Sequence, residues 1–221
     1  MEQKTQKWNR WVQVLREQIT RLVRSNYIYA ETRKIVVENS AINNSNLFYD
    51  WLTRNYVDAT LMGIRRQLDE HPDCISLIKL LRDLQINNTL LTREKHLALY
   101  LKDMQALGHN TFDILADKDL DVFPEKILEI DLQQLEKIKA LHKEFTDRRV
   151  AHYEKVSEVP SFGTFQDLDD AISILGNIFQ KYFLLLTASS IELLPIPQYD
   201  WTSIFKQSWL PNIAKEMEQN E

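Results

Sequence analysis

Glycine and proline are scarce in this sequence, and their scarcity already favours one class of fold. There are four glycines and six prolines in 221 residues, and the first of either is Gly63. Because these residues interrupt regular structure, sixty-two opening residues without one of them favour long helices. A fold built from many short strands and tight turns is therefore disfavoured.

Cysteine is scarcer still, since Cys74 is the single one. A lone cysteine excludes a disulfide framework and a thiolate metal cluster, and it indicates a cytoplasmic protein. The polar N-terminus lacks the apolar core of a signal peptide. The most apolar segment, Tyr182–Ala188, is far shorter than the roughly 20 residues that a membrane helix requires. We therefore predict a soluble cytoplasmic protein without membrane contact.

The sequence also lacks an excess of positive charge. Its 27 lysines and arginines stand against 32 aspartates and glutamates, a formal net charge of −5. This balance argues against broad, non-specific binding of nucleic acid but leaves a local basic site open. No histidine follows a glutamate by three positions, which argues against a di-iron site in a helical bundle. Without a Gly-rich phosphate loop or Cys/His zinc spacing, we predict neither metal nor cofactor.

Helical periodicity, by contrast, is abundant, and no segment alternates with period two. We therefore predict an all-α protein, a single domain over residues 1–221, folded as an antiparallel bundle of four to five long helices with a short C-terminal helical tail. The first predicted helix runs from about Trp8 to Ile42, either as one very long helix or with a kink near Ser25 and Asn26. The other predicted elements are a second helix over Leu47–Leu68, a third over Cys74–Leu84 capped by Asp73, a fourth over Arg93–Leu107 capped by Thr92 and ended by Gly108, an irregular surface excursion over His109–Pro124, a helix over Leu132–Tyr153, and a last long helix opened by the capping-box-like run Thr164–Asp167.

Two features of the first two helices predict packing. Trp8 and Trp11 fit either a buried core or an exposed anchor for a partner, and the usual burial of tryptophan favours the core. Gly63 lowers the stability of the second helix, so its presence there predicts a close crossing with a neighbouring helix.

The helix over Leu132–Tyr153 carries the most informative pattern. At about 100° per residue its apolar face contains Ile138, Leu141, Phe145 and His152. His142, Arg148 and Arg149 flank this face. An ordinary core stripe stays apolar to its end, whereas this one becomes cationic and imidazole-bearing over its last two turns.

Arg148 and His152 are one helical turn apart, and Arg149 lies on the same side. A guanidinium binds phosphate oxygens in a bidentate manner, and an imidazole exchanges a proton near neutral pH. Together they suffice for cleaving RNA without a metal: His152 would take the proton of a 2′-hydroxyl, and the arginines would stabilise the charge on the phosphate. The alternative is structural, with the arginines paired to nearby carboxylates and His152 donating to a carbonyl.

The sequence TDRRVAHYEK, followed by a loop and a helix opened by Thr164, Phe165, Asp167 and Leu168, resembles the HEPN superfamily. It is most similar to the abortive-infection U-type branch of bacterial phage defence, as is the segment Ala59–Leu81 with its Arg65, Arg66 and Asp69. The resemblance implies a helical bundle, a homodimer in which two such helices face each other, and a metal-independent endoribonuclease with an RNA substrate. A cognate antitoxin or another partner protein is a further candidate partner.

The motif departs from the family pattern in its spacing. Family members place four to six residues between the arginine and the histidine, whereas three separate Arg148 from His152. Thr146 and Asp147 stand where that arginine usually is. Tyr153 follows the histidine directly, whereas one residue separates the two in the branch that is silenced by tyrosine modification. A protein that binds RNA without cleaving it is therefore also open. The alternative prediction is a non-catalytic helical dimerisation or interaction protein with a degenerate Arg/His motif.

Overall fold

The computed structural model describes residues 2–44, 46–145, 164–194 and 196–209, and these residues are predominantly helical. Within them there is no β-strand, only an isolated antiparallel bridge between Thr92 and Val122. The helices are α1 (Glu2–Glu38), α2 (Leu47–Gln67), α3 (Leu77–Ile86), α4 (Arg93–Leu97), α5 (Gln105–Ala116), α6 (Glu125–Phe145) and α7 (Phe165–Thr187), with short 3₁₀ turns at Asn88–Leu90, Lys102–Met104 and Trp201–Lys206. The predicted all-α class is confirmed.

The long helices α1, α2, α6 and α7 form an antiparallel bundle. Tyr29 of α1 stacks on Tyr56 of α2, whereas Leu22 lies against Gly63, so residue numbers fall along α2 as they rise along α1. The core between the helices is made of leucine, isoleucine and aromatic side chains from all four. Trp8 and Trp11 are 1% and 8% exposed, which confirms that they belong to the core.

Local capping explains where several helices begin. Asn46 accepts a hydrogen bond from the Tyr49 amide and caps α2, which begins at Leu47 as predicted. For the third helix the prediction was wrong: Ser76, not Asp73, is the N-cap, and α3 runs over Leu77–Ile86. Ser76 is fully buried, and its hydroxyl also donates to the Asp69 carbonyl at 2.5 Å, a tertiary contact that selects it over the exposed Asp73.

The region after Thr92 differs most from the prediction. Thr92 caps α4 as expected, but α4 ends at Leu97 instead of Leu107. Gly108 does not end a helix; it lies buried inside α5, which occupies much of the predicted irregular excursion. A β-carbon on Gly108 would come within 2.8 Å of Leu97 and 2.9 Å of Tyr100, so glycine permits the close approach of α4 and α5.

Helices α6 and α7 are joined by a buried polar contact. Asp131 is 2% exposed and accepts hydrogen bonds from Lys181 at 2.7 and 2.9 Å and from the Tyr182 hydroxyl at 2.7 Å. Helix α6 begins at Glu125, earlier than the predicted Leu132, and the predicted end at Tyr153 lies outside the described residues.

The described part of the C-terminal tail packs on the first two helices. Trp201 meets Tyr27 edge to face, with ring centroids 6.2 Å apart, and Trp209 meets Phe48 at 6.0 Å. The predicted short helical tail is present as the 3₁₀ helix Trp201–Lys206.

Candidate active site

The residues predicted to act on RNA follow α6 directly in the chain. Arg148, Arg149 and His152 belong to residues 146–163, which lie outside the described residues. The described residues around this segment are the last turns of α6, the first turns of α7 and the parts of α1 and α2 that pack there. We call this region the α6–α7 end.

The start of α7 is fixed by a capping box. The Thr164 hydroxyl accepts from the Asp167 amide at 3.3 Å, and the Asp167 carboxylate accepts from the Thr164 amide at 2.5 Å. The hydrogen bonds from Thr164 hold the pKa of Asp167 below its usual value, and the neighbouring His142 acts in the same direction. Asp167 is therefore ionised near neutral pH, and the chain is fixed where it re-enters the bundle. The sequence predicted this capping box.

His142 contributes a buried imidazole to the same end. It is 6% exposed, and burial lowers its pKa, although the negative charge of Asp167 opposes this shift. The imidazole is therefore neutral near pH 7. Its burial also corrects the predicted face of the helix: Ile138 is buried as expected, but Leu141 is 47% exposed and His142 takes its place against the core.

An aromatic stack anchors α7 to α1 and α2. Tyr29 and Tyr56 stack with ring centroids 3.8 Å apart and ring planes 5° from parallel, and Phe165 stacks on Tyr29 at 5.6 Å. The Tyr29 hydroxyl donates to Thr53 at 3.1 Å. Burial raises the pKa of Tyr56 to about 12, so its hydroxyl stays protonated.

Arg33 is the cation that this arrangement places at the α6–α7 end. Its guanidinium carbon lies 5.0 Å from the centroid of the Phe165 ring, a cation–π geometry, and the side chain is exposed. A cation stacked on a ring beside the capped start of α7 can contact an anionic ligand there. Sequence reasoning missed both Arg33 and Tyr29. The spacing of Ile19, Leu22 and Tyr29 could have identified the tyrosine as part of the core stripe, whereas no local pattern indicates the contact between Arg33 and Phe165.

Another group of titratable residues in the described part of the chain is joined by ion pairs. Arg82 contacts Glu70 at 2.5 Å and also pairs with Glu136, and Lys139 pairs with Glu70 as well. The hydrogen bond from Lys139 lowers the pKa of Glu70. Among the described residues, no group of three or more His, Cys, Asp or Glu side chains is arranged to hold a metal ion. No described helix is long and apolar enough to cross a membrane.

Comparison with known proteins gives one family. The model of the family HEPN_AbiU2, described as AbiU2, matches residues 5–204, from the first turns of α1 to the 3₁₀ helix of the tail. No curated protein and no solved structure matches the chain.

Proposed function

The chain belongs to the AbiU2 family of HEPN proteins, and on that premise we propose that it cleaves RNA without a metal ion as part of a bacterial phage-defence response. The observation that carries the proposal is the extent of the family match. Residues 5–204 include Arg148, Arg149 and His152 as well as the helices on both sides of them.

In the proposed reaction the ribose supplies its own nucleophile. His152 takes the proton from a 2′-hydroxyl, the 2′-oxygen attacks the adjacent phosphorus, and the bond to the 5′-oxygen breaks. The leaving 5′-oxygen takes a proton from solvent. Arg148 and Arg149 contact the non-bridging oxygens, where negative charge develops in the transition state. The products are a 2′,3′-cyclic phosphate and a 5′-hydroxyl end.

The described surroundings of these residues support the proposal. The capping box at Thr164 and the neutral imidazole of His142 lie at the α6–α7 end, and Phe165 is held there by the stacked tyrosines. The described residues on the two sides of the segment, His142 and Asp167, therefore lie near each other at one end of the bundle. Arg33 adds an exposed cation for an RNA phosphate at that end.

We further propose a homodimer in which two copies of the Arg/His segment face each other, controlled by a cognate antitoxin or another partner protein. A cationic stripe is costly to bury alone, and a two-fold arrangement would let both copies contribute to one RNA-binding cleft. Light scattering at micromolar concentration tests the dimer, and a purely monomeric protein would contradict it.

The second candidate function is a non-catalytic interaction protein. The observation in its favour is the motif itself, because Asp147 stands where family members usually have the arginine. In this case Arg148, Arg149 and His152 would pair with acidic groups of a partner or of the second subunit.

Cleavage of a labelled RNA by the purified protein distinguishes the two candidates. If His152 is the general base, His152→Ala lowers the rate about 10²- to 10⁴-fold, chelators have no effect, and the products carry 2′,3′-cyclic phosphates. The matched control is His109→Ala, since His109 is exposed on α5, away from the α6–α7 end. If the wild type cleaves no RNA and His152→Ala changes only thermal stability, the interaction protein is the correct assignment.

A further inference from the structure

Positive charge is concentrated in the first two helices of this acidic protein. Residues 2–67 contain eleven lysines and arginines against six aspartates and glutamates, whereas the rest of the chain contains sixteen against twenty-six. Eight of the twelve arginines lie in that first part. The net charge of −5 therefore conceals a local basic surface on α1 and α2.

Within the described part of the chain, seven of these arginines are exposed and form no ion pair, and four of the seven line two adjoining grooves. Elsewhere in the described chain, some partly buried basic side chains are paired, for example Arg93 with Asp113 at 2.7 Å and Lys181 with Asp131 at 2.7 Å. The four that line the grooves are Arg16, Arg21, Arg24 and Arg66. We call these four residues the arginine track.

The arginine track runs through two adjoining grooves. The first, of about 380 Å³, lies between α1 and α2, and Arg21 and Arg66 line it from its two sides. Gln67 donates to Gln18 at 2.7 Å between the same helices, which places the two arginines at the same level of the groove. The second groove, of about 450 Å³, follows the outer face of α1.

Arg21 connects the two grooves, because it lines both of them. The outer groove is lined by Arg16, Arg21 and Arg24 with a single carboxylate, Glu17, and without any apolar side chain. At about 1.5 Å per residue, the arginines from Arg16 to Arg24 cover about 12 Å along the axis of α1. This is an extended cationic path and not an isolated charge.

We propose that the arginine track binds the phosphate backbone of an RNA strand, outside the segment that carries His152. The inference deepens the proposed function, on which it rests, by assigning where the substrate strand is held. Guanidinium groups bind phosphates in a bidentate manner, and the release of counterions from the strand supplies the free energy of binding. The outer groove has no apolar side chain, so it fits a phosphate backbone better than a protein partner, whose interface has an apolar core. The groove between α1 and α2 is lined also by Leu22, Ile28 and Leu52, against which the bases of the same strand would pack.

Fluorescence anisotropy with a 20-nucleotide 2′-O-methyl oligouridine tests the track without cleavage, because this probe has no free 2′-hydroxyl. The variant replaces all four arginines by glutamine, which keeps good helix formers at exposed positions. We expect affinity to fall about 10- to 100-fold, and the dependence of log K on log salt to become shallower by about 0.7 for each phosphate that the variant no longer neutralises.

The control variant removes the same amount of charge from exposed lysines outside α1 and α2, namely Lys102, Lys118, Lys126 and Lys137, each changed to glutamine. Its affinity should stay within about twofold of the wild type. An equal fall in affinity in both variants, or unchanged binding by the arginine variant, would overturn the inference. So would a dimer in the wild type that dissociates in the arginine variant with RNA affinity retained, since the track would then be a contact between protein chains.

A different measurement, the cleavage of unmodified RNA, tests the proposed function. Binding of the oligouridine at the track without cleavage of unmodified RNA would overturn the nuclease assignment alone. Cleavage that depends on His152, together with normal binding by the arginine variant, would overturn the track alone.

Discussion

The Tyr182 hydroxyl donates a hydrogen bond to Asp131 at 2.7 Å in the interior between α6 and α7. Lys181 donates to the same carboxylate from the protein surface, with 30% of its side chain exposed. The burial of Tyr182 and the charge of Asp131 raise the pKa of the tyrosine, so the phenol remains a donor at every physiological pH. This contact holds together the two helices whose far ends form the α6–α7 end.

Removing the carboxylate should therefore cost stability. Asp131→Ala leaves the buried Tyr182 hydroxyl and the Lys181 ammonium without their acceptor, and we expect a decrease of about 3 kcal/mol in the free energy of unfolding. Tyr182→Phe removes one hydrogen bond and should cost about 1–2 kcal/mol. Urea denaturation followed by circular dichroism measures both values. Glu129→Ala, at an exposed position on the same helix, is the matched control and should stay within about 0.5 kcal/mol of the wild type.

Most of the fold could be predicted because it depends on local patterns. The caps at Asn46, Thr92 and Thr164 are recognisable in the sequence, since each needs only a short polar side chain before a helix. Ser76 and Asp73 were equally plausible caps by that criterion. The contact between Ser76 and the Asp69 carbonyl decides between them, and it exists only in the folded chain.

The errors at Gly108 and in the face of α6 have the same kind of cause. Glycine usually ends a helix, but here the close packing of Leu97 and Tyr100 requires it inside one. Leu141 and His142 are neighbours in sequence, and which of them faces the core depends on where α7 lies. At the candidate site, Arg148, Arg149 and His152 stay a prediction from composition and resemblance, whereas Arg33 depends on a distant ring, Phe165, that no local pattern indicates.

Gly108 and Gly63 should respond differently to substitution by alanine. Alanine gains about 1 kcal/mol of helix propensity at either position. At Gly63 the new methyl would meet one flexible end, the Leu22 Cδ1 at 2.9 Å, so Gly63→Ala should be nearly neutral. At Gly108 the methyl would meet the ring of Tyr100 as well as Leu97. Gly108→Ala should therefore lower the free energy of unfolding by a net value of about 1–2 kcal/mol. Thermal unfolding of the two variants measures the difference, and equal effects would contradict it.

The buried histidines predict how stability depends on pH. His96 is 2% exposed, and its Nδ1–H donates to the Leu185 carbonyl at 2.9 Å. Burial lowers its pKa below the ordinary 6.5, although that hydrogen bond opposes the shift. Between the lowered pKa and 6.5 the unfolded chain binds a proton that the folded chain does not, so stability falls as the pH drops below 6.5. His142 acts in the same direction.

Denaturation midpoints measured between pH 5 and pH 8, by about half-unit steps, test this dependence. His96→Gln should flatten the fall in stability below pH 6.5, even if it lowers stability at every pH. His109→Gln, at an exposed position of α5, is the control and should leave the slope as in the wild type. A slope that is the same in the wild type and in His96→Gln would refute the role of His96.

The last prediction concerns the chemistry of the Arg/His segment. If Arg148 stabilises charge on the phosphate through its planar fork, Arg148→Lys keeps the charge but loses the bidentate contact, so turnover should fall. Since His152 would act as a base, the cleavage rate should rise with pH as its imidazole loses a proton. An ordinary histidine loses this proton at about pH 6.5. Single-turnover cleavage across this range measures both effects. The two roles predict different effects on the cleavage rate. Arg148→Lys should lower the maximal rate reached at high pH but leave its increase with pH in place. His152→Ala should abolish that increase. A pH-independent rate in the wild type would rule out His152 as the base even if RNA is cleaved.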